Sequence, residues 1–265
     1  MTGETESGKF MLCTRDRVFY AGLLGRGMKT RRMGGAGIYV APEGPVRIKI
    51  GEGPWQEREI AALAPGCAHR AETRSGRIIS LLIEPERVEA GALERLLETL
   101  NGGGDQSVAI ARIRGAAGRL RQLPDSEPPS AETFDRLVLG RALAGRTLDA
   151  RIETVLERFD EEDRETRLSA DTCAGEAGLS TSRFLHLFKE QTGVSFRALR
   201  MWKQARGFLY HANHDSSLTD VAFALGYPDS SHFSHSIRRI YGLQPRSIRV
   251  GSRDLEVLAS DRACA

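Results

Sequence analysis

The spacing of hydrophobic positions changes partway along this 265-residue chain. In the first third they form short runs, Ile38-Tyr39-Val40, Val46 to Ile50, Ile60 to Leu63 and Ile78 to Ile83, punctuated by Gly or Pro. The alternation at Val46, Ile48 and Ile50 predicts a strand with one buried face. The unbroken run from Ile78 to Ile83 predicts a strand buried on both sides. Pro65-Gly66 suits a type II turn, because Pro presets the first angle and Gly accepts a positive φ. Several short strands with such turns predict a small sandwich or barrel. From about Glu86 the period becomes helical, through Val88, Leu93, Leu96, Leu97 and Leu100. Asn101-Gly-Gly-Gly104 breaks that pattern, and a second helix is expected from Val108 to Leu123. Pro124 to Ser130 reads as a linker, with Ser130 capping a helix over Ala131 to Ala144. Everything beyond, to Arg249, reads as helices.

The helical half contains a repeat. One copy is Ala174-x3-Gly178, Phe184, Phe188, Gly193 and Arg197, and the other is Ala222-x3-Gly226, Phe233, Ile237, Gly242 and Arg246. Each copy reads as a short helix, a Gly turn, a second helix and a Gly stop. Ala174 and Ala222 let two helices cross closely, while Gly178 and Gly226 supply a left-handed backbone angle. Ser180 and Asp229 are placed to cap the second helix of each unit. Phe184 with Phe188, and Phe233 with Ile237, share a buried face at four-residue spacing. The opposite faces then carry Ser182, Arg183, Leu185, His186 and Lys189 in one unit. In the other they carry Ser230, Ser231, His232, Ser234, His235 and Arg238. Short polar groups flanked by Arg and Lys suit a helix lying in the DNA major groove. Between the units, Ser195 to Asn213 is expected to form one long helix, with Leu199, Trp202, Ala205, Leu209 and Ala212 on one face.

Charge and cysteine content add little to this picture and contradict none of it. The net charge is +3, but residues 167–250 hold eleven Arg or Lys against six Asp or Glu, which favours a polyanionic partner for that half. Asp160 to Glu165 is nearly continuous acid and reads as a solvated turn. Cys13, Cys67, Cys173 and Cys264 are scattered, so neither a disulfide framework nor a zinc site is expected. The polar N-terminus is unlike a secretory signal, and no apolar run reaches the roughly 20 residues that span a bilayer. A cytoplasmic protein without membrane contact is therefore expected. His211-x-x-His214 and His232-x-x-His235 have ligand-like spacing but lack a third ligand nearby, and His69 is the only His before His186. No metal, cofactor or catalytic residue is assigned.

Ala174 to Arg249 resembles the DNA-binding domain of the AraC/XylS family of bacterial regulators. The second unit carries the match: Ser217-Leu-Thr-Asp-Val-Ala222, Leu225-Gly-Tyr227, Asp229-Ser-Ser-His-Phe-Ser234 and Tyr241-Gly-Leu-Gln-Pro-Arg246, closed by Gly242-x-x-Pro245. The resemblance implies a seven-helix bundle beginning near Leu148 to Phe159. It implies base contacts from Ser182, Arg183, Leu185 and His186, and from Ser230, Ser231, His232, Ser234 and His235. Ile237 stands where the family usually has Phe, Gln204-Ala205 where Arg-Leu is common, and Gly207 weakens the connecting helix. Residues 10–90, with the Pro65-Gly-Cys-Ala-His69 turn, are similar in texture to the cupin-like sensor of many members.

The expected fold is α+β and multidomain: a cupin-like β-barrel or sandwich with trailing helices, then an all-α, homeodomain-like double helix-turn-helix. The expected partition is 1–90 for the regulatory domain, 91–130 for a helical connector, 131–250 for the DNA-binding domain and 251–265 for a tail. Leu93, Leu96, Leu97 and Leu100 read as core or, as the resemblance implies for helices after the barrel, as a dimer contact, with Phe134, Leu137, Val138 and Leu139 as a second candidate. The expected function is sequence-specific transcription regulation through double-stranded operator DNA, with a small-molecule effector, a homodimer and, for an activator, RNA polymerase as partners. Two alternatives are a cupin-type metalloenzyme fused to a DNA-binding domain, and a constitutive DNA-binding dimer without ligand.

Overall fold

The computed structural model describes residues 8–25, 27–102, 104–124, 129–160 and 168–259. Strands β1 (Phe10–Cys13), β2 (Arg17–Leu23), β3 (Ala36–Val40), β6 (Ala61–Leu63) and β8 (Arg77–Ile83) form one sheet in the order β6-β3-β8-β2-β1. Strands β4 (Val46–Ile50), β5 (Trp55–Arg58) and β7 (His69–Thr73) form a second, in the order β5-β4-β7. An isolated bridge pairs His69 of β7 with Arg31, in the connection between β2 and β3. The strand expected at Ile78 to Ile83 is buried on both faces. Ile79, Leu81 and Ile83 point to one core, while Ile78 and Leu82 point to another. In β4, Val46 and Ile48 are buried, but Ile50 is 42% exposed because the strand ends there in a turn.

Helices α1 (Ala90–Asn101), α2 (Ser107–Arg114), α3 (Ala116–Leu120) and α4 (Ala131–Leu139) cover the first core. Leu93, Leu96 and Leu100 pack on the sheet with Phe134 and Val138, so the two stripes read as dimer contacts are largely internal. The helical stretch expected over Val108 to Leu123 is present as two helices, divided at Gly115. Helix α4 stops short of Ala144 because Gly140 takes φ +85° and closes it. Four residues of the expected Pro124–Ser130 linker lie outside the described residues. A buried fork ties α4 to the sheet: Arg17 Nε and Nη2 donate to Asp135 Oδ1 and Oδ2 at 2.9 and 3.1 Å.

Among the described residues seven further helices follow: α5 (Ala150–Asp160), α6 (Ala170–Glu176), α7 (Thr181–Thr192), α8 (Phe196–Tyr210), α9 (Leu218–Ala224), α10 (Ser230–Tyr241) and α11 (Pro245–Gly251). The expected tail is not free along its whole length. Glu256–Ala259 returns to the first sheet as β9 and pairs in parallel with β1, Phe10 opposite Glu256. The chain thus begins and ends its described course on one sheet edge. The second core runs without a break from the inner face of the sheets (Met11, Tyr39, Leu82) into the helices (Trp202, Phe208, Tyr241).

Candidate nucleic-acid interface and interdomain cavity

Each helix pair is built as its residue types require. Ser180 Oγ accepts from the N–H of Arg183, and Asp229 Oδ1 from that of His232, so each second helix has one of its free first-turn N–H groups capped. Gly178, Gly193, Gly226 and Gly242 all take positive φ, between 66° and 77°, at the turns and stops. Phe184 and Phe188 are buried on Phe196, with ring centroids 5.5 and 5.3 Å away. Phe233 packs on Phe208 and Tyr227 at 5.2 and 5.3 Å, and Ile237 is buried beside it. Burying each such ring stabilises the fold by about 1.5–3 kcal/mol. With those faces inward, the opposite ones are forced outward. Ser182, Arg183, Leu185, His186 and Lys189 are all exposed on α7. Ser230, Ser231, His232, Ser234, His235 and Arg238 are all exposed on α10. Helix α8 runs between the two units, with Leu199, Trp202, Ala205 and Phe208 buried. Gln204, one of the departures from the family pattern, donates to the carbonyl of Leu225 at the end of α9.

The other side of α8 holds charges that sequence reasoning did not single out. Lys203 and Arg206 are buried against Glu84, which follows β8 and precedes the 3-10 turn Pro85–Arg87, and Glu86 within that turn. Glu84 accepts from Trp202 Nε1 at 2.8 Å and from Lys203 Nζ at 2.5 Å, and pairs with Arg206 at 3.2 Å. Lys203 also reaches Glu86 at 3.2 Å and Asp160 at 3.1 Å. Asp160, expected in a solvated acidic turn, instead pairs with Arg15 and Arg87 as well. The remainder of that run, 161–165, lies outside the described residues. Burial works against the Glu84 charge, but Arg206 and Lys203 outweigh it and hold the carboxyl well below its usual range. Glu86 is pushed up to about 8 by burial and by the neighbouring Glu84 charge. Nothing in the local sequence marks these residues, because isolated Lys, Arg and Glu are usually solvated.

Between sheet and helices lies a cavity of about 720 Å³, within the range of small-molecule sites. Its walls are largely apolar and come from both halves, with Met11, Tyr39 and Leu82 facing Trp202, Leu209 and Tyr241. Arg31 also lines it, and is only 8% exposed. Its Nε donates to His69 Nε2 at 3.0 Å, and its guanidinium carbon sits 4.8 Å from the Tyr39 ring centroid. Its Nη2 is buried and has no hydrogen-bond partner among the described residues. His69 is the residue a metal-binding cupin would present, yet here both ring nitrogens face protein groups. Nδ1 lies 2.8 Å from the Cys67 carbonyl, and Nε2 lies 3.0 Å from both Tyr39 Oη and Arg31 Nε. A carbonyl only accepts, so Nδ1 carries the hydrogen and Nε2 accepts. Burial and the Arg31 charge push the His69 pKa down to about 3, so the ring is neutral. His69 therefore aims Arg31.

The fold and this surface define a class: a β-sheet domain joined through a buried interface to paired helix-turn-helix units. A family model for a helix-turn-helix domain matches residues 173–250. The transcriptional activator RhaS of Escherichia coli is 39% identical over 85 residues, which are 31% of this chain and 30% of that protein. RhaS of Escherichia fergusonii is 35% identical over 107 residues, 39% of this chain and 37% of that protein. The match thus spans about a third of these curated relatives. The crystal structure of ToxT from Vibrio cholerae shares the fold with a TM-score of 0.52 at 13% identity, covering 92% of this chain and 96% of that one. A further ToxT structure, bound to (E)-4-(8-methylnaphthalen-1-yl)but-3-enoic acid, gives 0.51 at 13% identity over 89% and 98%. Residues 173–250 of the chain are thus similar to the helix-turn-helix domain of AraC/XylS-type regulators. No described helix is long and apolar enough to cross a membrane.

Proposed function

We propose that the protein is a sequence-specific transcription regulator whose two reading helices enter successive major grooves of operator DNA. The observation that carries this reading is the pair of capped helices, α7 and α10, each with its polar face exposed and set apart by one buried helix. In this reading Ser182, Arg183, Leu185, His186, Ser230, Ser231, His232, Ser234 and His235 meet base edges, while Lys189 and Arg238 neutralise phosphates. Selection of random duplexes by the full chain tests it. Two short enriched blocks about one helical turn (~34 Å) apart are expected, with a steep loss of affinity as salt rises. Sequence-blind binding would overturn it.

The cavity supports an effector-responsive regulator over a constitutive one. An apolar chamber with one unpaired guanidinium nitrogen suits a ligand with an apolar body and an anionic end. The carboxylic acid held by ToxT has that chemistry. Melting the protein with a medium-chain carboxylate, and with the matching alcohol, tests this. The acid alone is expected to stabilise, by about 2.7 kcal/mol at a hundred times its Kd. Arg31→Met should abolish the difference. A homodimer and, for an activator, contact with RNA polymerase complete the proposal. Because the Leu93 and Phe134 stripes pack on the sheet, a second copy would meet another surface.

A further inference from the structure

Residues three after the cap occupy matching places in the two units: Arg183 after Ser180, and His232 after Asp229. Their chemistry differs. Arg183 only donates hydrogen bonds. His232 is held by its own cap. Asp229 Oδ1 accepts from the His232 backbone N–H at 2.8 Å, and Oδ2 lies 2.8 Å from its ring Nδ1. The His232 backbone and ring hydrogen bonds hold the Asp229 carboxyl below its usual range, so it is ionised and accepts only. Nδ1 must then carry the ring hydrogen, and in the neutral ring the Nε2 lone pair is left facing outward. The His232 side chain is 70% exposed, in the first turn of α10, where reading helices meet base edges. Among the described residues nothing holds the His186 ring of α7 in this manner.

We infer that Asp229 is a specificity-determining residue, which locks His232 as a hydrogen-bond acceptor reading an exocyclic amino group of adenine or cytosine in the major groove. Only adenine N6 and cytosine N4 offer donors there, whereas guanine and thymine present oxygen or nitrogen acceptors that oppose a second lone pair. The two units then read opposite chemistries from equivalent positions, with Arg183 suited to guanine O6 and N7. Asp229 acts through His232 and need not touch the base. The inference rests on the reading of α10 as a groove helix.

Two substitutions separate the lock from the helix cap. Asp229→Ser keeps a capping oxygen, as Ser180 does in the first unit, but frees the ring. Asp229→Asn offers an amide that donates to Nδ1 and moves the ring hydrogen to Nε2. Selection of random duplexes by the full chain should show adenine or cytosine favoured roughly tenfold at one position facing α10. That preference should vanish with Asp229→Ser and turn towards guanine or thymine with Asp229→Asn, while the flanking bases persist. Imidazole 15N shifts should report hydrogen on Nδ1 in the parent chain and on Nε2 in Asp229→Asn. Hydrogen on Nε2 in the parent, an unchanged site with His232→Ala, or a tautomer change without a base change would each overturn the inference. If no sequence is selected at all, the paired-groove reading itself fails. If a site is selected and Asp229→Ser leaves it intact, only the lock fails.

Discussion

The two helix-turn-helix units are alike in local construction and unlike in what surrounds them. In the first, the helix stop at Gly193 is loosely covered, with Arg146 Nη2 3.8 Å from where a Cβ would stand. Arg146 Nη1 donates to the Gln191 carbonyl nearby, and its backbone N–H donates to Arg87 in the turn after β8. In the second, the stop at Gly242 lies under the segment before β3. Lys29 N–H donates to the Gly242 carbonyl at 2.8 Å and Arg32 N–H to that of Arg239 at 3.1 Å. A Cβ on Gly242 would stand 2.4 Å from the Lys29 carbonyl oxygen. Tyr241, Leu243 and Ile248 line the cavity, and no described residue of the first unit does. One motif thus has two settings: the first unit stands clear of the cavity, and the second also forms part of its wall.

The largest test removes what both units share. Glu84→Ala would leave Lys203 and Arg206 buried with fewer partners, and should cost about 3–5 kcal/mol in denaturant melts. A loss under 1 kcal/mol would mean that the ionic contact between β8 and α8 is dispensable. A matched pair comes next. Gly193→Ala should cost about 1 kcal/mol for its positive φ, whereas Gly242→Ala adds a backbone clash and should cost more than about 2 kcal/mol. Gly242→Ala should also speed proteolysis between the halves, and equal effects at the two sites would erase the contrast drawn above. A smaller effect concerns pH. Glu86 is pushed up to about 8 in the folded chain, against 4.5 as its ordinary value. The native state keeps a proton that the unfolded chain releases, so this group's contribution falls as pH rises from about 4.5 to 8. Glu86→Gln should flatten that part of the stability profile, measured by urea midpoints at several pH values.

Much of the second half was legible residue by residue. The caps Ser180 and Asp229, the four-residue Phe spacing and the Gly stops are local signals, and each stands where expected. The first half was half legible. Strands β3, β4, β6 and β8 announced themselves as apolar runs between turn residues, but β1, β2, β5 and β7 did not. Trp55–Arg58 and His69–Thr73 are mainly polar, so their burial pattern depends on which face the neighbouring strand covers. The strand β9 had no local signature, since its partner β1 lies more than 240 residues away in sequence. Lys203 and Glu84 each look like surface charges until α8 and β8 are brought together.

What the sequence by itself determined is the repeated helix-turn-helix, with its outward polar faces, because caps, Gly turns and helical periodicity act over a few residues. The tertiary structure alone decided the interdomain cavity, the buried Arg31 in its wall, the buried charges on α8 and the return of β9. Those features exist only where segments far apart in the chain exclude water from one another, and it is the loss of water that turns ordinary side chains into a ligand site or an ionic joint.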